Sequence, residues 1–314
     1  MRLEIGKIPI HDVQFDSTSR IEGNILYLNQ EELKAHLMVD ENIKSITVEI
    51  ARPGDSTRII PVKDVIEPRV KVSGRGELFP GTLSKVETVG EGRTNVLKGT
   101  AVVTTGKIVG FQEGIIDMSG PGAEYTPFSK LVNVVVVCEP IEGIDQYTHE
   151  RTLRIAGLKA AAYLGNLAKD IVAEEVETYE TYSVKEGIEK FPNLPRVAYV
   201  LMLQTQGLLH DTYVYGVDMK QSLTTIIYPT ELMDGAIVSG NCVSACDKNT
   251  TYHHLNNPVV EDLFKKHGKE LNFVGVVITN ENVYLEDKER SSDWAAKLVD
   301  FLAVDGVIIS QEGF

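Results

Sequence analysis

The sequence predicts an α/β protein: a β-rich α+β domain with a closing helix over residues 1–190, followed by an open, mostly parallel α/β sheet domain over 191–314. Three observations carry this expectation. Through the first 140 positions, apolar residues alternate or run continuously in short stretches separated by glycines, the pattern of strands and turns. From residue 197 onward, strand-like apolar runs alternate with helical patterns, as βαβ units do. Between them, the run KFPNLP at 190–195 places two prolines where regular structure must stop, and a chain of 314 residues is long for one core.

In chain order, a short helix is expected at 30–38 with Asn29 as its N-cap. Strands are expected at 45–51, 57–63, 96–103 and 131–138. From His149 to about Val172, Leu153, Ala156, Ala160, Leu164, Leu167 and Ile171 recur at helical spacing among further alanines, which favours one long helix. The acidic stretch 173–180 follows it, with no regular element assigned. In the second half, strands are expected at 197–203, 235–240, 272–279 and 307–309. Helices are expected at 258–267, with Asn257 as cap, Pro258 in the first turn and Gly268 past the end, and at 293–302, capped by Ser291 or Ser292. The glycine-rich runs GEGRT at 90–94 and SGPGA at 119–123 lack the lysine and following helix of a phosphate loop and read as turns. The sequence stops just after its last strand with no helix to cover that edge, so it is expected to be truncated at the C-terminus or completed by a separate chain.

Composition narrows the function. Hydrophobic residues make up 43% and charged residues 24%, as in folded proteins. The 31 Lys and Arg against 45 Asp and Glu leave a net charge of −14, which repels nucleic acid and anionic lipid. The N-terminus is charged where a signal peptide would be apolar, and the longest valine run, 134–137, is too short to span a bilayer. A cytoplasmic protein with no membrane and no nucleic-acid partner is expected. Three cysteines do not make a disulfide framework, and Cys138, at the end of an apolar run, is expected to pack as a small hydrophobe.

The other two cysteines sit in the run SGNCVSACDKNTTYHH at 239–254, just after the expected strand at 235–240. In an open parallel sheet the functional crevice lies at the carboxyl ends of the strands, so Cys242 is placed where an active centre would be. Several chemistries suit these residues. Thiolate and imidazole are zinc ligands, but Cys-x3-Cys followed by His-His is not a zinc-finger spacing. A redox pair is compact at Cys-x-x-Cys, and one extra residue intervenes between Cys242 and Cys246. Two buried thiols beside structural histidines would also fit. Finally, Cys242 could attack the Asn241 carbonyl, with Gly240 supplying backbone freedom for the distortion, and generate a pyruvoyl group after elimination.

The run SGNCVSACDKNTTYHHLNNPVVED at 239–262 resembles the processing region of the proprotein subunit of the glycine, sarcosine and betaine reductases, component B. The resemblance covers nearly the whole chain, including ITVEIARPG at 46–54, VKDVIEPR at 62–69, VTTGKIVGFQEGIID at 103–117 and GLLHD at 207–211, and is nearest to the glycine type. It implies that the chain is cleaved behind Asn241 and that Cys242 becomes a pyruvoyl group, which forms a Schiff base with glycine. A partner selenolate then completes reductive deamination to acetyl phosphate and ammonia. Selenocysteine is expected only in partners, namely the selenoprotein subunit of component B and a selenoprotein carrier component. The sarcosine or betaine counterpart, and an uncleaved scaffold subunit, are the alternatives. His210, His253 and His254 are candidates for proton transfer, Cys246 for an accessory thiol, and Arg52, Arg69 and Arg93 for holding a carboxylate.

Overall fold

The structure is a computed structural model and describes residues 1–107, 114–205, 212–240 and 249–311. The first part of the chain runs through β1 (Arg2–Pro9), β2 (Asp12–Phe15), β3 (Arg20–Glu22), β4 (Ile25–Leu28), α1 (Gln30–Leu37), β5 (Ile43–Ala51), β6 (Arg58–Ile66) and β7 (Arg69–Ser73). It continues with β8 (Gly92–Lys98), β9 (Thr100–Gly106), β10 (Gly114–Asp117), β11 (Val132–Pro140), α2 (Gln146–Asn166), β12 (Glu175–Glu180) and α3 (Val184–Lys190). Then follow β13 (Arg196–Leu203), β14 (Thr212–Val214), β15 (Val217–Asp218), β16 (Thr225–Ile227), α4 (Pro229–Met233), β17 (Ile237–Ser239) and α5 (Thr251–Leu255). The last described elements are α6 (Pro258–Lys266), β18 (Asn272–Asn280), α7 (Leu285–Phe301) and β19 (Gly306–Ser310). The chain is thus a mixed α/β protein built on several open sheets, in the orders β12-β1-β8-β7, β10-β6-β9-β11-β5, β16-β18-β13-β19, β15-β14-β17 and β2-β4-β3.

The sheet β16-β18-β13-β19 is the mostly parallel one, with β18, β13 and β19 parallel and β16 antiparallel at one edge. Its central strands read as continuous apolar runs because both faces are covered. Ala198 and Val200 of β13 face the cluster containing Ala295, Leu298 and Val299 of α7. Tyr199, Leu201 and Leu203 face the opposite cluster with Val260 and Leu263 of α6. The edge strand β19 leaves Val307, Ile308 and Ile309 exposed.

Several boundaries differ from the sequence expectation for identifiable reasons. The expected strand 96–103 is two strands, β8 and β9, because Gly99 takes φ +91° and its Cα lies where a side chain would meet the Ile10 carbonyl oxygen at 2.3 Å. The helix starting at Asp293 begins instead at Leu285, and Ser291 caps nothing. The Ser291 hydroxyl donates to Asn280 Oδ1 at 2.8 Å and accepts from Asn282 Nδ2 at 2.7 Å, tying the helix to the end of β18. The acidic stretch forms β12, whose glutamates are matched by β1, with Lys7 Nζ at 2.6 Å from Glu177. The strand before Cys242 also differs. β17 belongs to the small antiparallel sheet with β14 and β15, not to the parallel sheet.

Helix α2 lies flat across the five-stranded sheet and β7. Asp145 caps it through the amides of Tyr147 and Thr148. Glycines at 157 and 165 permit the approach: a Cβ on Gly157 would stand 1.9 Å from Thr104 Oγ1, and one on Gly165 2.0 Å from the Arg69 carbonyl oxygen. The cluster beneath α2 joins Leu153, Ala156, Leu164 and Val132, Val134 and Val136 of β11 to Tyr213, Val238 and Leu255 from beyond Lys190.

Candidate functional site

Asn241, Cys242, Cys246 and His210 lie outside the described residues. The chain on either side of 241–248 is described, and it is tightly built. Strand β17 carries Ile237, Val238 and Ser239 into the interior, each at most 2% exposed, and pairs Ser239 with Thr212 of β14. On the downstream side, Thr250 caps α5 by accepting from the His253 amide at 3.4 Å, while His253 Nδ1 accepts from the Thr250 amide at 3.2 Å. This reciprocal box restarts regular structure one residue after Asn249.

The two stems are fastened to each other and to β6. The Ser239 amide donates to Thr251 Oγ1 at 2.9 Å, and the Ser239 hydroxyl donates to the Asn249 carbonyl at 2.8 Å. Thr251 donates both its amide, at 2.9 Å, and its hydroxyl, at 2.6 Å, to the carboxylate of Asp64. The Asn249 amide donates to Gln204 Oε1 at 2.7 Å, and the Thr212 hydroxyl donates to the Gln204 carbonyl at 2.8 Å. Asp64 and its neighbour Lys63 are both buried in β6. Neither was singled out from the sequence. The available signal was a charged pair inside the otherwise apolar strand of the VKDVIEPR run, where burial demands partners.

The two adjacent histidines differ. His253 holds Nδ1 as an acceptor, so its proton resides on Nε2, and its ring lies 5.1 Å from that of Phe128. Burial lowers its pKa. His254 is buried, its Nε2 has no hydrogen-bond partner among the described residues, and burial, with His253 adding, pushes its pKa down to about 3. Free histidine titrates near 6.5. The unfolded chain therefore takes up a proton below pH 6.5 that the fold refuses, and stability falls as pH drops from about 6.5 toward 3, by up to about 1.4 kcal/mol per pH unit. Urea unfolding at pH 7 and pH 5 is expected to show this loss, and His254→Leu to reduce it. An equal loss in the variant would place the acid sensitivity elsewhere.

The remaining sequence candidates are placed as follows. Cys138 is buried in β11, and burial, with Asp40 and Glu139, pushes its thiol up to about 12, so it is not a nucleophile near neutrality. Each candidate arginine has a carboxylate of this chain beside it: Arg52 with Asp12 at 2.8 Å, Arg93 with Glu4 at 2.6 Å, and Arg69 with Glu67 at 2.5 Å. Glu67 is also held by Lys98, which donates to Glu67 at 2.6 Å and to Asn256 at 2.7 Å. Burial alone would raise the Glu67 pKa, but Lys98 and Arg69 outweigh it and the net shift is downward. Glu67, Arg69 and Lys98 line a cavity of about 560 Å³ together with Tyr179, Tyr182, Phe191 and Phe264. Among the described residues no cluster of three or more His, Cys, Asp or Glu is arranged to hold a metal, and no helix is long and apolar enough to cross a membrane.

The class follows from comparison: the family described as glycine/sarcosine/betaine reductase component B subunits matches residues 1–314, and the chain belongs to it, as a component of a reductase. Within that family it is 66% identical over 314 residues to the glycine reductase complex component B subunits alpha and beta of Acetoanaerobium sticklandii. It is 61% identical to the sarcosine reductase complex component B subunit alpha of Peptoclostridium acidaminophilum, and 40% identical to the betaine reductase complex component B subunit alpha of the same organism. The whole of this chain is covered in each match, and 73%, 73% and 72% of the respective relatives. No solved structure matches.

Proposed function

We propose that this chain is the substrate-binding subunit of a glycine reductase, and that it is cleaved between Asn241 and Cys242 to leave a pyruvoyl group at the head of the downstream chain. The observation that carries the reading is whole-chain identity of 66% and 65% to two proteins named as glycine reductase component B subunits. The 61% match to a sarcosine reductase subunit favours a second reading, in which the substrate is a secondary amine. Betaine has no N–H to condense with a carbonyl, and the betaine reductase relative is the more distant at 40%.

The cleavage balances with the atoms of residues 241 and 242 and water. The Cys242 thiol attacks the Asn241 carbonyl, and the amide nitrogen of residue 242 leaves as an amine, giving a thioester. Loss of the Cα proton of residue 242 breaks its Cβ–S bond, so the sulfur departs with Asn241 as a thiocarboxylate and residue 242 becomes a dehydroalanine. Water converts that enamine to a ketone with release of ammonia, and a second water converts the thiocarboxylate to a carboxylate and hydrogen sulfide. The group so formed supplies a carbonyl electrophile for the substrate amine, which no ordinary side chain provides.

In this reading residues 191–314 carry the processing site, while the selenolate and the phosphate-handling site come from partners: the selenoprotein subunit of component B and the selenoprotein carrier component. The net charge of −14 supports a cytosolic location away from nucleic acid and anionic lipid. Intact mass under denaturing conditions, on the chain taken from its native host in active complex, tests the proposal. Two fragments meeting at the Asn241–Cys242 bond are expected, the downstream one blocked to Edman degradation and shifted in mass by hydrazine. A single uncleaved chain in an active complex overturns it.

A further inference from the structure

Asp64 is out of place by composition. β6 is buried from Val62 to Ile66, and a carboxylate in such a strand is costly unless its oxygens are well supplied with donors. Its oxygens accept from the Val65 amide at 2.8 Å, the Thr251 amide at 2.9 Å and the Thr251 hydroxyl at 2.6 Å, among other contacts. Two of these come from 187 residues away in sequence. Because the Thr251 hydroxyl gives its proton to Asp64, its lone pairs are turned to accept, and the Ser239 amide donates to it at 2.9 Å. The Ser239 hydroxyl donates onward to the Asn249 carbonyl at 2.8 Å and approaches the Gly240 carbonyl at 3.3 Å. One path of directed hydrogen bonds therefore runs from a buried carboxylate through Thr251 to the residues bounding 241–248 on both sides. Asp64, Thr251 and Ser239 are each no more than 1% exposed.

We infer that Asp64 and Thr251 are positioning residues for the self-cleavage, a role that rests on the processing reading above. A thiol that attacks the carbonyl of the preceding residue must strain its own backbone, and the reaction depends on how well the strained geometry is held. Apolar packing would bury the stems equally well but is non-directional, whereas charge-assisted hydrogen bonds fix orientation as well as distance. The carboxylate sets the Thr251 hydroxyl, and the hydroxyl sets the amide of Ser239, two residues upstream of the scissile carbonyl. Neither side chain need touch the reacting atoms.

The test follows conversion of the full chain in its native host by pulse-labelling and intact mass, comparing wild type with Thr251→Val, Thr251→Ser and Asp64→Asn. Thr251→Val keeps the shape but removes the hydroxyl. It is expected to slow cleavage by about tenfold or more, the scale of one lost hydrogen bond to a charged group. Thr251→Ser keeps the hydroxyl and is expected to cleave within about twofold of wild type, a rescue that a purely packing role for the side chain would not give. Asp64→Asn is expected to slow cleavage, because the carboxylate's charge is lost. Thermal melting of the uncleaved precursors establishes that slow variants are folded. Wild-type conversion together with equally fast Thr251→Val, or a Thr251→Ser as slow as Thr251→Val, overturns the positioning role alone. A wild-type chain that is never cleaved overturns the processing reading and this inference with it.

Discussion

Cys242→Ala is expected to leave the chain whole and free of any hydrazine-reactive carbonyl, with substrate turnover by the complex lost. Alanine has no atom that can attack the Asn241 carbonyl, and no Cβ–S bond whose rupture would create the unsaturated residue. Cys138 cannot take over: it is buried in β11 with its thiol pushed up to about 12. The hydroxyl variant gives a finer check. Cys242→Ser can follow the same course through an ester, more slowly because a neutral hydroxyl is a weaker nucleophile than a thiol near its pKa. The upstream chain would then end in an ordinary carboxylate, with no sulfide released. Intact mass, hydrazine labelling and a sulfide assay read both variants beside the wild type. A carbonyl-bearing downstream fragment from Cys242→Ala would refute the assignment.

Gly165→Ala is expected to destabilise the fold strongly. The new Cβ would stand 2.0 Å from the Arg69 carbonyl oxygen and 2.3 Å from its carbon. Both are backbone atoms, so relief requires α2 to lift from β7 rather than a side chain to rotate. Lifting disturbs the Glu67–Arg69 pair at 2.5 Å, whose partners have almost no contact with water. Overpacking of this kind costs about 3 kcal/mol, a fall in melting temperature on the order of 4–5 °C for a chain of this size. Gly306→Ala serves as the control, since nothing lies within 4 Å of its added Cβ, and it should stay within about 0.5 kcal/mol of wild type. Equal melting of Gly165→Ala and wild type would mean that α2 does not sit as close as described.

Much of the architecture was legible because the periodicities were strong. Asn29 and Asn257 accept from the first-turn amides of their helices as expected, and the central strands β13 and β18 lie where continuous apolar runs put them. The helix α3 was missed because Ser183 and Glu186 form a capping box on a segment whose composition reads only as acidic and proline-flanked. β12 was missed because its strand character comes from pairing with β1, not from its own residues. Placing Cys242 behind a strand was readable. Assigning that strand to the parallel sheet was not, because three residues carry no information about which neighbour they pair with.

By itself, the sequence determined that this is a mixed α/β protein, acidic, and a member of a reductase component B family, and it pointed to Asn241 and Cys242 through that family resemblance. Those properties reside in local pattern and composition. Only the tertiary structure decided that Asp64, 187 residues from Thr251, would hold the stems on either side of Cys242, that the candidate arginines would be taken by Asp12, Glu4 and Glu67, and that His254 would lie buried beside an exposed-looking polar run. A buried charge goes wherever the fold brings it donors, and that meeting depends on the packing of distant segments, which no local pattern records.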